Sequence, residues 1–220
     1  MYLFFKRFFD IVFSLLALII LLPLFVPIII MLLLTGEHEV FFLQDRVGHN
    51  NRIFKILKFA TMLKNSPNMG SGDVTTRKDP RVTFMGRFLR ISKLNELPQV
   101  INILKGDMSF VGPRPLMKVG FDRYTDEMKA KVYRAKPGLT GIGSIVFRDE
   151  ELIITKSSLP PHECYRQVIL PYKGAVEIWY QEHISFYTDF MILFLTAWYI
   201  VFPNSNMIQR VFPSLPKRQF

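Results

Sequence analysis

Asn95 and Glu96, followed two residues on by Pro98, are the pair in this chain whose types invite chemistry. Leu94, Leu97, Val100, Ile101 and Leu104 recur at spacings of three and four beside them and predict a helix. Proline is tolerated in a first helical turn, where its missing N–H would have had no partner. A helix beginning near Asn95 would make Asn95 an N-cap and Glu96 a complement to the helix dipole. The chemical alternative is that the helix start faces a phosphate. A carboxylate beside a phosphate repels it unless a divalent cation lies between, and Mg²⁺ commonly bridges one or two carboxylates to substrate phosphates. Arg114, fixed between Pro113 and Pro115, adds a guanidinium suited to bidentate phosphate recognition. Thr140 and Gly141 close the segment Pro137 to Gly141, which reads either as a plain turn or as a close backbone approach to phosphate.

These groups need a scaffold. Ile11 to Leu34 is an apolar run of twenty-four residues carrying no charge, about 36 Å as a helix and enough to cross a hydrocarbon layer of about 30 Å. Pro23 and Pro27 lie near its middle and predict a bend. A kinked span and a bent helix that enters and leaves by one face both fit. Lys6 and Arg7 before the run and the basic stretch after it favour two cytoplasmic ends. A cleaved signal peptide does not fit so long a run without a small-residue cleavage site. From Glu37 onward the pattern is globular: a hairpin over Glu39 to Phe59, an exposed loop over Lys64 to Pro80, the helix after Asn95, a second helical stretch near Phe121 to Ala135, and an apolar helix from Ile184 that suits the headgroup level, with Trp198 and Tyr199 placed there. Three segments follow: a membrane helix over 1–36, a catalytic domain over 37–180, and an interfacial helix and tail over 181–220.

Charge constrains the partner. The chain has 220 residues and a formal net charge of +10, yet a mean hydropathy of +0.21. Arg46 to Lys105 alone carries twelve Lys and Arg against Asp73, Asp79 and Glu96, which asks for an anionic partner. No nucleic-acid-binding motif accompanies it, so lipid headgroups or a phosphorylated substrate fit better than DNA or RNA. Cys164 is the only cysteine, which excludes an intrachain disulfide, and the four histidines lack metal-ligand spacing.

In this order the segments resemble one family, the bacterial sugar transferases, or monotopic phosphoglycosyl transferases. The resemblance rests on KRFFD before a proline-broken apolar run, then FKILKFATM, DPRVTFMGRFLR, LNELPQVINILKGDMSFVGPRPL, KPGLTGIG and YQEHISFYTDF. It implies an α+β, mainly helical fold: a re-entrant N-terminal membrane helix, amphipathic interfacial helices and a small catalytic domain containing a β-hairpin. It implies transfer of a phospho-sugar from a UDP-sugar to polyprenyl phosphate with release of UMP and a requirement for Mg²⁺, on the cytoplasmic face of the bacterial inner membrane, among membrane lipids. A homo-oligomer is compatible with it, and the sugar is not legible. Its phosphate and nucleotide contacts would fall on Lys58, Arg81, Arg90, Arg114, Thr140, Gly141 and Arg148, and its metal ligand on Glu96.

Two departures stand out. The family's nucleophile is the Asp preceding this Glu, and here that position is Asn95, a carboxamide that cannot form the same phospho-enzyme. Three readings stay open: direct attack by polyprenyl phosphate with Asn95 orienting the diphosphate, another acid such as Glu96 as nucleophile, or an inactive family member that serves as a membrane partner or adaptor. Second, the family's Ser-Pro helix break is Leu22–Pro23 here, followed by Pro27, so no hydroxyl is present at the break.

Overall fold

Apolar length alone forces the first element. In the computed structural model, which describes residues 1–66 and 79–218, α1 spans Tyr2–Leu34 and contains Pro23 and Pro27. It is long and apolar enough to cross a membrane by length and composition, and only 17% of its most apolar window is buried within the protein. β1 (Phe41–Val47) and β2 (Ile53–Phe59) pair as a two-stranded sheet, as the two short strand-like runs joined by a polar turn predict. Their tight turn places Asn50 and Asn51 at positive φ, a backbone that Asn tolerates better than most residues. Of the expected exposed loop over 64–80, residues 67–78 lie outside the described residues.

α2 (Phe84–Ile91) begins where Thr83 accepts a hydrogen bond from the Gly86 amide. The chain then reverses at Lys93, which has a φ of 60°. A single 3-10 turn, Leu94–Glu96, precedes α3 (Gln99–Lys105), with Pro98 immediately before the helix. β3 (Ser109–Val111) and β4 (Gly138–Thr140) form a parallel pair, with Ser109 opposite Gly138 and Val111 opposite Thr140. Parallel strands need a long crossover, and α4 (Lys118–Asp122) and α5 (Asp126–Lys131) lie within it. These two short helices replace the single expected helical stretch. α6 (Ile142–Val146), α7 (Glu150–Lys156) and α8 (Pro161–Cys164) follow, and then a π turn over Tyr165–Ile169. α9 (Leu170–Glu182), α10 (Phe186–Val201) and α11 (Met207–Val211) complete the described chain.

The contacts divide the chain into two compact units. One comprises Ile11–Gln44 and Lys55–Lys105. Its core sets Phe25, Ile28 and Leu32 of α1 against Phe59 and Leu89, with Leu94 and Leu97 packed on the same cluster. Thus the two leucines flanking Asn95–Glu96 are seated on an apolar cluster to which α1 contributes. The other comprises Met1–Asp10, Asp45–Phe54 and the chain from Gly106 onward. Its core joins Val111, Ile142, Val176, Tyr180, Ile192 and Leu195. A second cluster holds Val47, Leu116, Phe121, Tyr133 and Leu170.

The acids near the ends of the apolar helices are internal anchors. Asp10 is buried and accepts hydrogen bonds from the Ser109 hydroxyl and the Phe110 amide, each at 3.1 Å. Asp189 accepts from the Tyr2 hydroxyl at 2.6 Å and the Tyr180 hydroxyl at 2.8 Å, and pairs with Lys6. Lys6 also donates to the Val111 carbonyl, so the KRFFD motif fastens the start of α1 to β3. Tyr199, expected at the headgroup level, points inward and is 7% exposed. Phe190, Phe194 and Ile200 form part of the exposed apolar surface of α10.

Candidate active site

In the unit that contains Arg114, backbone groups across the Pro-Arg-Pro-Leu segment are tethered in succession. Gly138 N donates to Pro113 O at 3.0 Å. The Tyr133 hydroxyl donates to Arg114 O at 2.7 Å and accepts from Leu116 N at 2.9 Å. Arg46 donates to Pro115 O at 3.2 Å, and Val47 N to Leu116 O at 2.8 Å. The Arg114 amide is the one backbone donor in Pro113–Pro115, since proline has none; it lies 3.4 Å from Glu177 Oε1. The guanidinium itself is on an exposed residue. A stiff backbone under an exposed arginine limits the conformational entropy lost when an anion is bound.

Thr140 and Gly141 join this group. Gly112 N donates to Thr140 O at 3.0 Å, and a Cβ added at Gly141 would lie 2.0 Å from Gly112 O. Glycine at Gly141 therefore permits a backbone approach that any side chain would block. The Thr140 hydroxyl is 2.8 Å from that of Thr196, a bond between β4 and α10. Arg148 belongs to another part of the same unit. It stacks over the Tyr199 ring at 4.1 Å, donates to Pro203 O, and lines a cleft of about 190 Å³ with Asp149, Tyr172 and Arg218.

The other unit holds Asn95, Glu96, Lys58, Arg81 and Arg90. Asn102 fixes α3 to β2 by accepting from Leu57 N at 2.9 Å and donating to Lys55 O at 2.8 Å, mimicking a neighbouring strand. This anchoring brings Lys58 Nζ to 3.0 Å from Glu96 Oε1, with side-chain exposures of 15% and 21%. Such a charge-assisted bond is worth roughly 1.5–3 kcal/mol. Asn95 is not the N-cap that its position suggested: it sits inside the 3-10 turn, and its Oδ1 is buried and accepts no hydrogen bond.

Arg81, expected at a phosphate, is 3% exposed and grips Asp79 through Nε at 2.9 Å and Nη2 at 2.7 Å. The Arg81 guanidinium pulls the Asp79 carboxyl down to about 2. Arg81 thus has a buried carboxylate as partner at the base of the loop. Arg90 is half-buried in the last turn of α2, and its charge contributes to the lowered Asp79 value.

Among the described residues no group of three His, Cys, Asp or Glu side chains could hold a metal. Glu96 fits a Mg²⁺ ion of the phosphate-bridging kind, which needs only one or two carboxylates, and the Asn95 Oδ1 beside it in sequence is a hard oxygen without a donor. Sequence reasoning missed Tyr133 and Glu177. The available signal for Glu177 was a lone acid among Val176, Ile178 and Trp179 on an otherwise apolar helix turn.

Residues 1–203 match the family model described as bacterial sugar transferase, and the chain belongs to that family. It is 38% identical over 172 residues to the exopolysaccharide production protein ExoY of Sinorhizobium fredii, covering 71% of this chain and 75% of that protein. It is 38% identical over 189 residues to the undecaprenyl-phosphate glucose phosphotransferase of Komagataeibacter xylinus, covering 83% of this chain but 35% of that protein. It is 33% identical over 208 residues to the undecaprenyl-phosphate galactose phosphotransferase of Salmonella typhimurium, covering 88% of this chain and 40% of that protein.

Proposed function

We propose that this chain transfers a phospho-sugar from a UDP-sugar to polyprenyl phosphate and releases UMP, as the first membrane step of glycan assembly. The observation that carries the reading is the exposed Arg114 on its tethered segment, in a chain of the bacterial sugar transferase family. The names of the glucose and galactose phosphotransferases support a lipid phosphate acceptor. Arg114 recognises donor phosphate, with the Gly112–Gly141 backbone approach beside it; Thr140 supports that backbone, and Arg148 serves the nucleotide.

The chemistry needs no enzyme nucleophile. An oxygen of the lipid phosphate bonds to the sugar-bearing phosphorus, the bond from that phosphorus to the bridging oxygen breaks, and the oxygen leaves with UMP. Atoms and charge balance without a further proton acceptor, so the task of the protein is positioning and electrostatics. Asn95 orients the diphosphate as a neutral polar group. Glu96, held by Lys58, is the ligand for Mg²⁺, which supplies charge neutralisation of the phosphates when bound. Lys58 and Arg90 add positive charge, and α1 sits in the cytoplasmic face of the inner membrane, bent at Pro23 and Pro27.

Asn95 also favours a second reading, an inactive family member that serves as a membrane partner. UMP release by the purified chain, with polyprenyl phosphate, Mg²⁺ and a panel of UDP-sugars, separates the two. Release requiring both lipid and Mg²⁺ supports the transferase. No release with any donor from folded protein removes it.

A further inference from the structure

Glu177 is the buried acid that the proposed reaction does not use. It is 2% exposed in the middle of α9. Gly143 of α6 lies over it so closely that a Cβ there would fall 2.2 Å from Oε1. Oε2 is buried and accepts no hydrogen bond. Oε1 faces the amide of Arg114 at 3.4 Å, the longest of the contacts that hold the segment and the one whose acceptor can change charge.

We propose that Glu177 is a positioning residue for Arg114: its carboxylate form holds the Arg114 amide and thereby aims the guanidinium at the diphosphate of the donor. The half of this that concerns the donor rests on the proposed function; the tether itself does not.

Charge around the carboxyl supports a tether that responds to pH near neutrality. Burial raises the Glu177 carboxyl to about 7, against the opposing pull of the Arg114 amide and the Lys173 and Arg114 charges. Lys173 lies one turn earlier on α9 and is paired with Glu150 of α7 at 2.9 Å. Tyr124, Tyr133 and Tyr180 feel the Glu177 charge as a further obstacle to their own ionisation, and they are neutral throughout the range concerned. α6 presents Gly143, without charge. Protonated Glu177 accepts only a neutral hydrogen bond, which is about half as strong. The tether therefore weakens below neutrality and strengthens above it.

Because Pro113 and Pro115 carry no amide hydrogen, exchange at Arg114 reads the tether alone. The test uses the full chain in lipid nanodiscs, with ¹⁵N-arginine and ¹⁵N-glycine labels, at pH 6 and pH 8. Protection of the Arg114 amide, corrected for intrinsic exchange, should rise severalfold relative to that of Gly112, whose amide is held by Thr140 O at either pH. In Glu177→Gln the rise should vanish. The KM for the UDP-sugar should climb roughly tenfold with kcat changed far less, and Glu177→Asp should recover part of the loss. Arg114 protection that tracks Gly112 across pH in the wild-type chain overturns the proposal, whether or not Glu177→Gln folds. An unchanged KM in a folded Glu177→Gln overturns it as well. If the wild-type chain turns over no UDP-sugar, the proposed function fails while the exchange comparison still decides the tether.

Discussion

The Arg114 segment and the Asn95–Glu96 turn are built on opposite plans. Arg114 stands on a backbone held by Gly138, Tyr133, Arg46, Val47 and Glu177, so its placement is settled by folding. Asn95 and Glu96 sit on one 3-10 turn after a reversal at positive φ. Glu96 has Lys58, while the buried Asn95 Oδ1 has no donor. A cation that must meet a fixed anion gains from rigidity. In the proposed reading the Asn95 oxygen has to keep its lone pairs for a metal–phosphate, and leaving a buried oxygen unpaired costs about 1–3 kcal/mol. Fold stability and site readiness are thus drawn from different regions.

Removing the arginine head group breaks the comparison most severely. Arg114→Ala should lower UDP-sugar turnover by roughly 10²–10³-fold, while leaving the backbone tethers and most of the thermal stability in place. Turnover assays with a melting curve on the same sample check both halves. Tyr133→Phe attacks the other side of the contrast. It strips the partner from Arg114 O and Leu116 N together, and should cost about 2–4 kcal/mol in a denaturant titration.

Stability against pH sharpens the picture. The Glu177 carboxyl titrates at about 7 in the folded chain and at 4.5 as the unperturbed group. Between those values the unfolded chain binds fewer protons than the folded one, so stability declines as pH rises from 4.5 to 7 and levels off above. The decline contributed by Glu177 should be on the order of 3 kcal/mol and should disappear from the melting profile of Glu177→Gln. A further loss of stability is expected for Asn95→Asp, which sets two carboxylates side by side and puts charge on a buried oxygen that has no donor, and should cost about 1–3 kcal/mol. Its informative readout is mass spectrometry with UDP-sugar: the variant should accumulate a phospho-sugar adduct that the wild-type chain lacks.

How much of this was legible follows from the physics of each element. The apolar run announces itself by length and the hairpin by two strand-like runs about a polar turn, and α1, β1 and β2 match them. β3 and β4 show no strand signal in the sequence because three residues are too few to show a period, and the parallel partner of each lies beyond a crossover. The reversal at Lys93 delays α3 until after Pro98 and takes Asn95 away from the cap position; positive φ at a lysine leaves no trace in the sequence. The basic run asks for anions, and for Arg81 the anion is Asp79, two residues away. Glu177 stayed hidden because a single acid on an apolar helix looks like an ordinary polar face until the depth of burial is known.

The glycines at Gly112, Gly138 and Gly141 also bear on how this protein can be altered. A methyl at any one would press within 2.0–2.2 Å of main-chain atoms of its neighbours, so no compensating rotamer elsewhere could absorb it. Libraries that randomise the arginine-bearing loop will lose their diversity at these positions. A new sugar preference has to be sought in side chains lining the reaction space, because the peptide frame beneath them offers selection nothing to work with.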